Sequence, residues 1–201
     1  MAQPCMTVST FATGSLMENV SDIVEERARS AARAVLVPAA LGFAGGTLAI
    51  GVLGLLVKET GLPLLIAPFG ASCVLLFAAP ESAFAQPRNV MLGHLFASAV
   101  GLGVFAIAGV GVWQMAVGVG LAIAVMQLTR TVHPPAGADP LVILLAGGAS
   151  AHFLLIPVLG GVLCLLTIAW AFNCSLRRLR CSLIIGTTSR QSRVSPPGDG
   201  G

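Results

Sequence analysis

Across residues 34–176 only Lys58, Glu59, Glu81, Arg88, Arg130 and Asp139 carry a charge. No other feature restricts the fold so strongly. An ordinary soluble domain is about one quarter charged, whereas this chain of 201 residues is 9% charged and 56% hydrophobic. So little polar surface cannot cover a soluble core. The expected fold is therefore an all-α, polytopic helical membrane protein, with the lipid bilayer as its first partner. The other charges crowd the two ends. Arg27, Arg29 and Arg33 precede the first apolar run, and Arg177, Arg178, Arg180, Arg190 and Arg193 follow the last. Basic residues beside spans mark the cytoplasmic side, so both termini are expected there. The basic tail has no aromatic or folded recognition motif beside it, which argues against nucleic acid as a partner.

Three regions follow from this distribution: an N-terminal cytoplasmic segment (1–32), a membrane domain (33–174) and a basic tail (175–201) expected to be disordered. Residues 1–14 are also expected to be disordered. "SLMENVSDIVEERARSAAR" reads as an amphipathic interfacial helix, because Ser15 and Glu18 have capping-box spacing and Leu16, Val20, Ile23 and Val24 share a face. The N-terminus does not read as a secretory signal, since no apolar core accompanies its first basic residue, Arg27. Cys5, Cys73, Cys164, Cys174 and Cys181 show no metal-type spacing.

Four uncharged runs, 34–57, 60–80, 89–129 and 140–176, hold the membrane segments. A span needs about 20 residues, so the two longest runs each contain two segments. The expected segments are 34–57, 63–80, 90–109, 112–129, 136–148 and 153–173, with "GVGVW" (109–113) as a hinge. Gly42 and Gly46 have the GxxxG spacing that admits a neighbouring helix, and glycine-rich faces allow a homo-oligomer. The second and fifth segments are short and broken by proline and glycine. Either they cross the membrane or they are re-entrant, which leaves four to six transmembrane segments. Charge favours six, because ten basic residues then lie inside rather than eight.

The broken segments also resemble each other. Pro68, Gly70, Ala71 and Ala79 of "PFGASCVLLFAAPESA" match Pro135, Gly137, Ala138 and Ala146 of "PAGADPLVILLAGGASA". This suggests two three-segment units, the second inverted relative to the first. Broken helices at matching places of inverted repeats point to a transporter's binding site. A helix that starts inside a membrane exposes unpaired N–H groups and a positive dipole end, which attract anions. Gly70–Ser72 and Gly137–Asp139 are the two expected helix starts, with Ser72 and Asp139 as equivalent caps.

Few polar side chains lie nearby. His133 precedes two prolines that hold it extended, and it reads as a ligand contact, a proton relay or a structural histidine. Arg130 and Arg88 read either as anion attractors or as cytoplasmic anchors. His94 is an ionisable residue within a span, a functional candidate by position. Its spacing from the other histidines matches no metal-binding helix pattern, and no nucleophile or phosphate-loop motif appears, so neither an enzyme nor a cofactor is expected.

At "TVHPPAGADPL" and "PFGASCVLLFAAPESAFAQPRNVMLGH" the chain resembles the HPP family of integral membrane proteins, over about residues 30–175. That resemblance implies four transmembrane helices and a membrane transporter. Plant and cyanobacterial members are associated with nitrite transport, so a small inorganic anion such as nitrite is the implied substrate. It also marks His133, Pro134, Pro135, Gly137 and Asp139 in one block, and Pro68, Gly70, Ala71, Ser72, Gln86, Pro87 and Arg88 in the other. A substrate site of His133, Pro134, Pro135, Gly137, Asp139, Arg130, Gly70, Ser72, Arg88 and His94 is the resulting expectation. A structural or sensory membrane subunit and a membrane-embedded enzyme are the alternatives.

Overall fold

The structure is a computed structural model that describes the backbone of residues 10–191 and the side chains of residues 20–177. It is helical throughout its regular elements and divides into two compact units, residues 1–41 and 42–201. Helix α1 runs Thr10–Thr60. In the first unit it begins before Ser15, so Ser15 lies inside the helix and does not cap it, and residues 10–14 are ordered as helix. Residues 1–9 lie outside the described residues. Arg29 donates to Glu25 one turn earlier, and Val20, Ile23 and Val24 are exposed, as are all the described residues around them.

The second unit holds most of the first segment and all of the other five. The end of α1 is followed by a non-helical stretch, residues 61–66, and a turn at Ala67, and then by helix α2 (Pro68–Cys73), which continues as a π-helical turn (Val74–Ala78). Helix α3 is Pro87–Ala108 and α4 is Val112–Leu128. Residues 131–133 are again non-helical, with His133 extended. A 3-10 helix (Pro134–Ala138) leads from them into α5 (Asp139–Leu145). A π-helical stretch (Leu154–Gly160) containing Pro157 precedes α6 (Gly161–Gln191). Residues 175–191 are therefore helical, where a disordered tail was expected; residues 192–201 lie outside the described residues. The hinge falls where expected, with Gly109 ending α3 at φ 71°.

By length and composition, Val20–Thr60, Pro87–Ala108 and Leu154–Arg177 can each cross a membrane, while Pro68–Ala78, Val112–Leu128 and Pro134–Leu145 are shorter apolar helices. At 1.5 Å per residue the two broken helices supply only about 16–20 Å each. Packing shows how far the chain nevertheless travels. Ala78 lies against Gly42 and the Phe77 ring covers Gly45, so the first broken segment returns from Thr60 to the level of Gly42. That is about 27 Å of α1. The non-helical residues between Thr60 and Pro68 make up the difference, because backbone that is not coiled into a helix covers more length per residue. The close approach expected at Gly42 and Gly46 is made by Gly42 and Gly45 instead; Gly46 has open space beside it.

The second broken segment behaves alike. The Thr131 carbonyl lies against Gly93, Pro140 against Gly101, and Gly148 beneath Phe105, so the chain runs parallel to α3 along most of its length. The first broken segment runs parallel to α6: Leu64 touches Gly160, the Phe69 ring covers Gly161, and Asn173 donates to the Leu76 carbonyl at 3.2 Å. Each broken segment thus packs on the third helix of the other half, and the two run in opposite directions. This agrees with two three-segment units, the second inverted relative to the first.

Turn chemistry sets these paths. At the end of α4 the Thr131 N–H reaches the Met126 carbonyl (2.9 Å) and the Arg130 N–H reaches Gln127 (3.1 Å), a Schellman closure. Its left-handed position is Arg130, at φ 54°, the single non-glycine residue of this kind among the described residues. The equivalent closure after α5 uses Gly147 at φ 79°.

A Cβ at Gly101 would lie 2.8 Å from the Pro140 Cα, a backbone atom that cannot give way. One at Gly103, two residues on, meets nothing within 4 Å. Gly101→Ala should therefore destabilise the detergent-solubilised protein by about 1–3 kcal/mol. Gly103→Ala should be neutral or stabilising by up to about 1 kcal/mol. Thermal unfolding of the two variants side by side checks the crossing of α3 and α5.

Candidate functional site

A membrane interior provides no water to satisfy polar groups, so any that are buried must find one another. Among the described residues the buried polar side chains are Ser72, His94, Ser98, Thr131, His133 and Asp139. Thr131 pairs with Thr129 through their hydroxyls at 2.7 Å. The other five form one connected chain centred on His94.

His94 sits in the third turn of α3, with its ring fully buried. Its Nδ1 lies 2.9 Å from Asp139 Oδ2, and its Nε2 lies 3.0 Å from Ser72 Oγ. Ser72 Oγ is also 2.8 Å from His133 Nε2, and His133 Nδ1 is 2.8 Å from the Phe84 carbonyl. Ser98, four residues after His94 and so on the same helix face, donates to Asp139 Oδ2 at 3.0 Å. The Phe69 ring stands edge-on to His94 at 5.2 Å, and the two imidazoles are 5.0 Å apart. Asp139 Oδ1 is the one buried side-chain polar atom without a hydrogen-bond partner among the described residues.

Local sequence aims each group. His133 is extended (φ −133°, ψ 100°), as a residue before proline should be, and this turns its ring toward Ser72. The Phe84 carbonyl is presented by the loop before α3. There Ser82 Oγ accepts from the Phe84 N–H at 3.2 Å, Asn89 donates to the Ala83 carbonyl at 2.8 Å, and Pro87 opens the helix. "PESAFAQPRN" is therefore a turn that positions one acceptor.

The structure divides the expected site in three. Ser72, His94, His133 and Asp139 join in the buried chain. Pro134 and Pro135 border an open groove of about 710 Å³ between the two broken segments, whose other walls include Ala67, Ala71, Leu75 and Leu141. Its lining is apolar, and no member of the buried chain reaches it. Gly70, Arg88 and Arg130 are exposed, Gly137 is partly buried, and the Arg88 guanidinium donates to the Thr129 carbonyl at 3.4 Å.

Two expectations about capping fail. Ser72 lies within α2, and the N-cap positions of α2 and α5 are Ala67 and Ala138, with no side-chain cap at either. Ser72 and Asp139 reach His94 instead, because in a dry interior a ring nitrogen without a partner costs more than an open helix end. Their expected equivalence does appear in space, since they grip the same imidazole from opposite sides. The sequence reading missed Ser98, which its i,i+4 relation to His94 could have revealed. It also missed the Phe84 carbonyl, which no side-chain pattern signals.

Ser98→Ala would leave Asp139 with His94 as its remaining partner. The expected loss is about 1–3 kcal/mol, read as a lower melting temperature in detergent. Ser150→Ala, at an exposed position, is the neutral control.

Comparison with known proteins agrees with this architecture. Two transmembrane proteins of Dictyostelium discoideum are similar to the chain. One is 34% identical over 123 residues, covering 57% of this chain and 43% of its own length. The other is 36% identical over 117 residues, covering 54% and 37%. The chain thus aligns with less than half the length of these curated relatives. No solved structure matches it. The family model of the HPP transmembrane region matches residues 31–180, and with three quarters of its length inside that match the chain belongs to the HPP family of membrane proteins.

Proposed function

We propose that the protein is an integral membrane transporter for a small inorganic anion. The observation that carries this reading is the meeting of two oppositely directed broken segments on one buried imidazole, through Ser72 and Asp139. Non-helical backbone at membrane depth is costly and is kept where a pathway needs it. Nitrite is the first substrate to test, on the family resemblance. Arg88 and Arg130 lie at the end of the bundle where α3 begins and α4 ends, and they form an electropositive rim that draws anions. Arg177 approaches Glu81 (3.7 Å) at that same end, while Lys58 lies at the opposite end of α1. This asymmetry supports a cytoplasmic location for the basic end and both termini, in a bacterial inner membrane. The apolar, open groove supports either lipid or a second copy of the chain as a neighbour there.

A hydrolase is the second reading, because Ser72, His94 and Asp139 are connected Oγ to Nε2 and Nδ1 to Oδ2 as in a Ser-His-Asp triad. Ser72 is nevertheless fully buried, and a second imidazole competes for its hydroxyl. Both facts weigh against a nucleophile.

Proteoliposomes containing the protein should take up nitrite, or another anion of a small panel, faster than empty vesicles. No uptake of any member would leave the structural-subunit reading. Arg130→Gly relieves the left-handed backbone while removing a cation. It should slow uptake at low substrate concentration without lowering thermal stability. A fluorophosphonate probe should leave Ser72 unlabelled in the folded protein, and stoichiometric labelling would establish the hydrolase.

A further inference from the structure

We infer that the buried chain is a proton-binding site that holds one proton beyond two neutral histidines and a carboxylate, and that Ser72 passes this proton between His94 and His133. This needs no transported substrate and stands apart from the transport reading.

The contacts fix the number of hydrogens. A carbonyl only accepts, so the 2.8 Å contact with Phe84 places a proton on His133 Nδ1. Ser72 has one hydroxyl proton but faces the Nε2 atoms of two imidazoles, at 2.8 and 3.0 Å. Its contact with the Pro68 carbonyl, at 3.4 Å, is the longest and weakest of the three, so the hydroxyl donates to one ring and the other must then donate to it. If His133 Nε2 accepts, His94 Nε2 carries a proton. The 2.9 Å contact between His94 Nδ1 and Asp139 Oδ2 then needs a second proton between them. If instead Ser72 donates to His94, His133 is protonated on both nitrogens and His94 Nδ1–H donates to the Asp139 carboxylate. Both arrangements contain the same number of protons, and every contact in the chain is satisfied in each. With one proton fewer, some contact sets acceptor against acceptor whichever tautomer His94 adopts. With one more, Ser72 would have to donate to the Pro68 carbonyl at 3.4 Å, and the site, with its rings 5.0 Å apart, would carry a net positive charge in a dry interior.

The arrangements interconvert without any co-reactant. Starting from a protonated His94, the Nε2 proton moves to Ser72 Oγ as the Ser72 proton moves to His133 Nε2. Two bonds to hydrogen form, two break, and one positive charge passes between the rings. The path leads from Asp139 and Ser98, near the middle of α3, toward the loop before α3. The groups facing the chain are Ser72 and the Pro68 carbonyl from α2, His94 and Ser98 from α3, His133 and the Phe84 carbonyl from the loops, and Asp139 from α5. No lysine, arginine or glutamate among the described residues is buried with them. Asp139 Oδ1, which has no partner, is the remaining atom of the chain at which a proton can rest.

Nitrogen-15 NMR of histidine-labelled protein in nanodiscs, with infrared spectroscopy of the Asp139 carboxyl, tests the count. Exposed His152 supplies the reference resonance. At neutral pH the wild-type protein should show one doubly protonated ring or a protonated Asp139, the latter band vanishing in Asp139→Asn. Two neutral rings beside an ionised Asp139 would overturn the proposal without any variant. In the wild type, His94 and His133 should titrate together. Ser72→Ala should abolish that coupling, and Ser72→Thr, which keeps the hydroxyl, should retain it. Unchanged coupling in a folded Ser72→Ala protein would refute the relay. If Ser72→Ala does not fold, loss of coupling in folded Ser72→Thr refutes it instead.

Discussion

The contact of one imidazole with two interrupted helices organises the second unit of this protein. His94 comes from an uninterrupted helix, whereas Ser72 and Asp139 come from the two segments whose backbones are non-helical for part of their course. Burying any one of these groups alone would cost several kcal/mol. Burying them together lets each satisfy another, so the position of α3 fixes the positions of both broken segments. The glycines at 93, 101 and 161 make the same point sterically. They bring backbone to backbone where the broken segments cross α3 and α6.

This arrangement also explains why the segments are broken. A continuous helix of 11 or 12 residues is too short to pass from one end of the neighbouring helices to the other, and a longer helix would carry its polar side chains around all faces. A non-helical entrance covers the distance with few residues and delivers Ser72 and His133 to one side. The proline-rich sequences follow from that need. Pro68 and Pro134 each open a helix where no preceding turn could accept their missing N–H.

The fold was largely legible in the sequence because it rests on patterns the bilayer imposes. Long uncharged runs, the 109–113 hinge and the glycine-proline breaks all correspond to observed boundaries. The ends were misread. Residues 10–14 and 175–191 are helical although their composition suggested disorder, because a helix can continue beyond its apolar stretch when nothing stops it. At the site, Ser72 and Asp139 do not cap the helices they were expected to cap. Ser72 and Asp139 have the side chains of caps and the spacing of caps, and local pattern cannot show that an imidazole 22 and 45 residues away competes for them.

The sequence by itself determined that this chain lives in a membrane, that it has six apolar segments and that two of them are interrupted at matching places. Hydrophobic length and backbone chemistry suffice for that, since both act locally along the chain. Only the tertiary structure decided that the polar residues at the interruptions turn inward onto His94 rather than outward into the apolar groove. That choice depends on which donors and acceptors meet across α2, α3 and α5. It is governed by the cost of a polar atom left without a partner where water does not reach.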